Sequence, residues 1–180
     1  MTTFVALVRG INIGGHNKLA MQDLRRLCAR LGLEDVKTLL NSGNVVFRSA
    51  ASDADELEAR LERETARRLG LKPAYFVRTA DEWASIVKRN PFPDEAARDP
   101  GRLVALLMRQ APGPAAVTAL RAAIPGRERV EARGREAYFV YPDGMGRSKL
   151  TPTLIEKHLG GAGTARNWNT VLKLLAAVRA

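Results

Sequence analysis

Two ferredoxin-like halves packed as one unit, in an α+β fold, are what this sequence predicts, and three observations carry that expectation. Apolar runs of strand length alternate with helical patterns in the order βαββαβ over residues 1–90, followed there by a connecting helix. A second series, βαββα plus a C-terminal helix, occupies residues 102–180. The two series open alike, on Phe4-Val-Ala-Leu-Val8 and Leu103-Val-Ala-Leu-Leu107, which points to an internal duplication.

The elements follow from local signals. Residues 3–8 form an apolar run suited to a central strand, and Arg9-Gly-Ile-Asn-Ile-Gly-Gly-His-Asn-Lys18 a glycine-rich loop. Leu24, Leu27, Cys28 and Leu31 have helical spacing, with Gly32 placed to end the helix. Residues 36–40 and 45–47 read as strands joined by Asn41-Ser-Gly-Asn44, a tight turn. Ser52 and Asp53 open a second helix that carries Leu57, Leu61, Ala66 and Leu69 on roughly one side, before Gly70. Residues 74–77 are the next strand, and Thr79-Ala-Asp-Glu82 is a capping box before a helix with Trp83, Ile86 and Val87 on one face.

Asn90-Pro-Phe-Pro93 stops that helix, and the polar segment to Gly101 reads as the connection between halves. Residues 103–108 are a buried strand, and Pro114 starts a helix closed by Pro125-Gly126. Residues 129–131 and 137–141 make a hairpin around Arg133-Gly134. Thr151-Pro152 opens a helix ending near Gly160, and Asn167 or Thr164 caps a last one bearing Val171, Leu174, Leu175 and Val178.

Composition bounds the function. A 180-residue chain with 46% hydrophobic and 27% charged residues is an ordinary globular protein that needs no disulfide or metal for stability. Its one cysteine, Cys28, lies on an apolar helix face and reads as a core thiol. Neither a signal-peptide core nor a run long enough to span a membrane occurs, so the expected compartment is the cytoplasm, with no membrane partner. Net charge is +10 and uneven: residues 1–100 carry 16 Lys and Arg against 14 Asp and Glu, residues 101–180 carry 13 against 5. Such an excess attracts nucleic acid, nucleotides or other polyanions, and it also serves simple solubility.

The motifs exclude more than they assign. Gly10-Ile-Asn-Ile-Gly14-Gly15 is neither a dinucleotide fingerprint nor a Walker loop. The aromatic platform of an RNA recognition motif is missing after Arg133-Gly134 and after Ser42-Gly43. No histidine pair has metal-ligand spacing and no nucleophile elbow occurs, so no metal, cofactor or reaction is assigned and the question of enzyme activity stays open. His158 sits at a helix C-terminus, a favourable place for a cation, and Trp168 reads as a packing residue.

What remains is a set of loops with anion-binding chemistry. Asp143-Gly-Met-Gly-Arg-Ser-Lys-Leu150 sets Arg147, Ser148 and Lys149 before a helix, and Gly163-Thr-Ala-Arg-Asn-Trp-Asn-Thr170 repeats that composition with Arg166 and Asn167. In the first half Arg9, Asn12 and Lys18 belong to the glycine loop and Asn41 and Asn44 to the turn. Strands one and two of a ferredoxin-like half are parallel, so the Gly10 loop and the Asn41–Asn44 turn share one sheet edge; the Asp143 loop follows the third strand of its half and takes the opposite edge. Loops of the two halves meet only in a head-to-tail packing, which is the working expectation. The alternative is that these loops are turns and caps with a structural role alone.

The loop sequences carry a resemblance. Arg9-Gly-Ile-Asn-Ile-Gly-Gly with Asn17-Lys-Leu19, Asn41-Ser-Gly-Asn-Val-Val-Phe47, Asp143-Gly-Met-Gly-Arg-Ser-Lys-Leu150 and Thr164-Ala-Arg-Asn-Trp-Asn-Thr170 resemble, in that order, the bacterial domain-of-unknown-function family 1697. The resemblance runs from Phe4 to Leu175 and implies an α+β fold of two ferredoxin-like halves; it implies no activity and no catalytic residues. The functional expectation therefore rests on the residues: an anionic, phosphate-bearing or nucleotide-like ligand held by Arg9, Asn12, Lys18, Asn41, Asn44, Arg147, Ser148, Lys149, Arg166 and Asn167 in loops from both halves. Nucleic-acid binding through the basic C-terminal half is the rival.

Overall fold

A computed structural model of the chain describes residues 1–12 and 14–180; Ile13 of the glycine loop lies outside the described residues. The elements are β1 (Thr2–Arg9), α1 (Met21–Arg30), β2 (Glu34–Leu39), β3 (Asn44–Ser49), α2 (Ala54–Leu69), β4 (Ala74–Thr79), α3 (Ala80–Lys88), α4 (Pro93–Arg98), β5 (Leu103–Met108), α5 (Pro114–Ala123), β6 (Arg129–Arg133), β7 (Glu136–Val140), α6 (Pro152–Leu159), β8 (Gly163–Asn167) and α7 (Trp168–Arg179). Two four-stranded antiparallel sheets result, ordered β2-β3-β1-β4 and β6-β7-β5-β8. The chain divides into two compact units, residues 1–85 with 173–180, and residues 86–172.

In the first unit alternate residues of β1 set the core. Phe4, Ala6 and Val8 join Val45, Phe47, Tyr75 and Val77 beneath Leu24, Leu27 and Cys28 of α1 and Leu57 and Leu61 of α2. Both helices end or begin as their sequences dictate. The Asp53 carboxylate accepts from the backbone amides of Asp55 (2.8 Å) and Glu56 (3.2 Å), and Gly70 closes α2 in the left-handed region. The capping box is complete: Thr79 Oγ1 accepts from Glu82 N at 3.1 Å while Glu82 Oε2 accepts from Thr79 N at 2.8 Å.

The second unit repeats the plan with its core on Val104, Leu106 and Met108 of β5, against Val117, Leu120, Phe139, Ile155 and Leu159. It differs from the sequence expectation in two elements. Residues 163–167 form β8, paired with β5 from Val104↔Asn167 to Met108↔Gly163, so this half is βαββαβ too before its C-terminal helix. A five-residue edge strand with only Ala165 apolar carries no alternation to announce it; its partner β5 draws it into the sheet. The polar segment read as a plain connection also holds the short helix α4, over which Arg129 stacks on Phe92 at 5.0 Å.

Pairing registers fix the equivalence of the halves. Phe4 faces Phe47 and Thr79, and Val104 faces Phe139 and Asn167, so Phe4 corresponds to Val104 and not to Leu103. The closing bond of each β1–β3-type pair recurs, Val8 N to Gly43 O at 2.8 Å and Met108 N to Arg135 O at 2.9 Å. The duplication is thus one of backbone pairing, offset by one residue from the match of the two apolar runs.

Candidate functional site

Where a fold is repeated, the places at which the repeats differ are those the scaffold does not require. Two loops stand out. The β1–α1 connection runs over residues 10–20 in the first half, against residues 109–113 in the second. The β7–α6 connection, residues 141–151, contrasts with residues 50–53 after β3. These loops hold half of the candidate residues, Asn12 and Lys18 in the first and Arg147, Ser148 and Lys149 in the second.

The β7–α6 loop is held at both ends by two consecutive residues of the α5–β6 connection. Arg127 grips Asp143, donating from Nε to Oδ2 at 3.3 Å and from Nη2 to Oδ1. Glu128 accepts the hydroxyl hydrogen of Ser148 on Oε1, while its Oε2 is buried without a hydrogen-bond partner among the described residues. Ser148 Oγ also accepts from Leu150 N at 3.0 Å, so its hydroxyl is occupied on both counts. Between these anchors Gly144 takes φ +86° and Met145–Arg147 makes a single 3₁₀ turn. Thr151 caps α6 by accepting from Leu154 N at 3.3 Å, with Pro152 in the first turn, as expected.

The charges of this loop are arranged unequally. The Arg127 guanidinium holds the Asp143 carboxyl below the usual carboxylate range, with smaller help from Arg102 and Arg147. Arg147 and Lys149 themselves are exposed and have no carboxylate partner among the described residues. That sets them apart from much of the second half, where Arg98 and Arg129 share Glu95, Arg121 and Arg133 share Glu131, Arg102 pairs with Asp99 and Arg89 with Glu136. The loop lies by the start of β5, since Tyr141 N donates to Arg102 O at 2.9 Å, which is the sheet edge expected for it.

The first-half loop is built differently. Asn12, at φ +56°, spends its side chain on the fold: Oδ1 accepts from Leu19 N at 3.0 Å, and Nδ2 donates to Leu19 O at 3.0 Å and to Asn41 O at 2.9 Å. The Gly10 loop and the Asn41–Asn44 turn are therefore neighbours at one sheet edge, as strand direction requires. Asn44 is fully buried, its Nδ2 donating to Leu39 O at 2.9 Å and Ser42 Oγ at 2.8 Å. Lys18 and Asn41 are exposed, and Arg9 is half-buried at the end of β1. Leu40 takes φ +60° and is 51% exposed, a conformation and a location a leucine seldom combines.

Arg166 and Asn167 are not in a loop of their own. Arg166 lies on β8, half-buried, with Nη1 donating to Thr164 Oγ1 and Ala165 O at 2.8 Å each, and burial lowers its guanidinium to about 10. Asn167 caps α7 by accepting from Thr170 N at 3.0 Å. Arg102, Arg127 and Glu128, which shape the β7–α6 loop, were not among the sequence candidates. Arg127 and Glu128 follow a Pro-Gly turn and nothing in their spacing ties them to Asp143, 16 residues on. Among the described residues no three of His, Cys, Asp and Glu are grouped so as to hold a metal ion, and no helix is long and apolar enough to cross a membrane.

A repeated ferredoxin-like fold with one cationic, doubly anchored loop defines a class of architecture and not a reaction. The chain belongs to a family of proteins of unknown function, DUF1697, whose sequence model matches residues 1–138. The β7–α6 loop lies beyond that matched span. Among solved structures it is similar to the conserved bacterial protein SP0830 from Streptococcus pneumoniae, at 24% identity and a TM-score of 0.76 over 98% of both chains, a likeness of fold. No curated protein matches the chain.

Proposed function

We propose that this protein binds a phosphate-bearing anion at its β7–α6 loop. The observation that carries this reading is that Arg147 and Lys149 project from an arch anchored at Asp143 and Ser148 while neither has a carboxylate partner among the described residues. Two cations held on a pinned backbone lose little freedom on meeting an anion, and preorganisation of that kind is what turns surface charge into a site. Ser148 serves the arch itself, and Arg147 and Lys149 supply the charge. In the first half Lys18 is the exposed cation of the glycine loop, a lesser candidate because Asn12 and Asn44 are already used to hold that loop and turn in place.

A panel of inorganic phosphate, sugar phosphates and nucleotides at low salt tests the proposal by thermal shift. At least one should raise the melting temperature of the wild type and fail to raise that of an Arg147→Ala/Lys149→Ala variant; stabilisation by none of them, or equal stabilisation of both proteins, contradicts it. The charge asymmetry between the halves favours nucleic acid as the rival source of phosphate. That rival requires affinity to fall steeply with salt as several counterions are released, whereas one or two phosphate contacts give a shallow slope.

A further inference from the structure

An edge strand presents a row of main-chain groups, and the two halves treat the same edge differently. In the first half β4 is an edge strand bonded to β1 through alternate residues, which directs the N–H groups of Tyr75, Val77 and Thr79 outward. All three meet carboxylates: Tyr75 N donates to Glu62 Oε1 at 2.9 Å, Val77 N to Glu58 Oε1 at 2.7 Å and Thr79 N to Glu82 Oε2 at 2.8 Å. Glu58 and Glu62 lie one turn apart on α2, about 6 Å along the helix, which matches the roughly 6.6 Å between alternate residues of a strand. A helix with glutamates at i and i+4 thus covers this edge.

β8 is the equivalent edge strand, and by register Gly163, Ala165 and Asn167 stand where Tyr75, Val77 and Thr79 do. Even the outward carbonyl is treated alike: Val77 O accepts from Arg78 Nη1 at 2.9 Å, and Ala165 O from Arg166 Nη1 at 2.8 Å. The carboxylates are what differs. Because α6 has 8 residues against 16 in α2, the place of Glu62, counted from the caps Asp53 and Thr151, falls on Gly160. Glu156 falls at the Glu58 place and is not bonded to Ala165 among the described residues. Thr170 stands for Glu82 and gives its N–H to Asn167 Oδ1. The N–H groups of half-buried Ala165 and exposed Asn167 accordingly meet no acceptor among the described residues.

We infer that this edge of β8 receives an acidic helix of a partner protein, whose glutamates at i and i+4 accept from the N–H groups of Ala165 and Asn167 as Glu58 and Glu62 accept from Val77 and Tyr75. Charge favours that occupant, since residues 101–180 carry 13 Lys and Arg against 5 Asp and Glu. The occupant is a helix and not an added strand, because an added strand must also donate to the Ala165 carbonyl that Arg166 already holds.

Amide spectra of the labelled full chain, titrated at low salt with a capped alanine-rich helical peptide carrying two glutamates at i and i+4, test the inference. Saturable shifts at the Ala165 and Asn167 amides are expected, and none from the same peptide carrying glutamines. Ala165→Pro removes one outward donor and no ladder bond, and should weaken peptide binding at least about tenfold, the effect of one hydrogen bond to a charged group. A melting curve establishes that the variant is folded; if it is not, the two peptides compared on the wild type still decide. No shifts, equal shifts with both peptides, shifts at residues 143–151 in place of 165 and 167, or undiminished binding by folded Ala165→Pro overturns the inference.

Discussion

Asn12 donates from its side-chain amide to the backbone carbonyl of Asn41, 2.9 Å away and 29 residues along the chain. One residue thus ties the glycine loop to the β2–β3 turn, and through Leu19 it also closes the far end of the same loop. Asparagine is suited to the position twice over, since it tolerates φ +56° and its amide both donates and accepts. Asn12→Ala should lower stability by about 1–3 kcal/mol, the range for losing hydrogen bonds whose backbone partners are then left unmet. Asn12→Gly, which keeps the backbone conformation, should recover only part of that. Urea denaturation of both variants measures it; wild-type stability in either contradicts the assigned role.

Gly43 is required for two separate reasons. Its φ is +77°, and a Cβ placed there would come within 2.8 Å of Val8 Cβ and of Ile11 Cδ1. Gly43→Ala should cost about 2–4 kcal/mol, combining left-handed strain with overpacking against a β-strand. In the other half Gly163 is as confined for a different reason, because a Cβ there would lie 2.6 Å from Leu107 O. Gly163→Ala should weaken β8 pairing, read as faster amide exchange at the facing residues Leu107 and Thr164; unchanged exchange contradicts the pairing.

The two halves cap equivalent helices by different residues, Thr79 at α3 and Asn167 at α7. Substituting either by alanine should cost about 1 kcal/mol, typical of a lost N-cap. Chemical denaturation of the two single variants checks this, and a loss at one site only would contradict their equivalence.

Burial pushes the Cys28 thiol up to about 12, from about 8.5 for a free thiol. The core holds the neutral form, so the stability this group contributes is fully present below about pH 8.5 and is lost as pH rises toward 12. Tyr75 and Tyr138 are raised for the same reason, burial, and act in the same direction at higher pH. A thiol reagent at pH 8 should leave the native protein unlabelled and label it fully in denaturant; rapid labelling of the native state contradicts a core position for Cys28.

The sequence made the fold legible wherever one face of an element had to be apolar. The strands through Phe4 and Leu103, the amphipathic helices, the Asp53 cap and the Thr79–Glu82 box all follow from residue order, because each is decided by neighbours within a turn or two. Residues 163–167 could not be read that way: Gly-Thr-Ala-Arg-Asn becomes a strand only because β5 offers it an edge. The same limit applies at the candidate site. Arg147 and Lys149 were visible as cations in a glycine-rich stretch, but the grip of Arg127 and Glu128 on Asp143 and Ser148 joins segments that only the tertiary fold brings together. Asn12 and Asn44 share the composition of a ligand-binding loop, yet their amides are taken up by backbone and hydroxyl groups of their own turns.

Backbone amide spectra of the labelled protein during a phosphate titration at low salt test the central claim most directly, because they report where an anion binds as well as whether it does. Saturable shifts confined to residues 143–151 and the contacting residues Arg127 and Glu128, absent in Arg147→Ala/Lys149→Ala, are the expected result. Absence of shifts in that loop, or the same shifts in the double variant, would contradict the assignment of the β7–α6 loop as an anion-binding site.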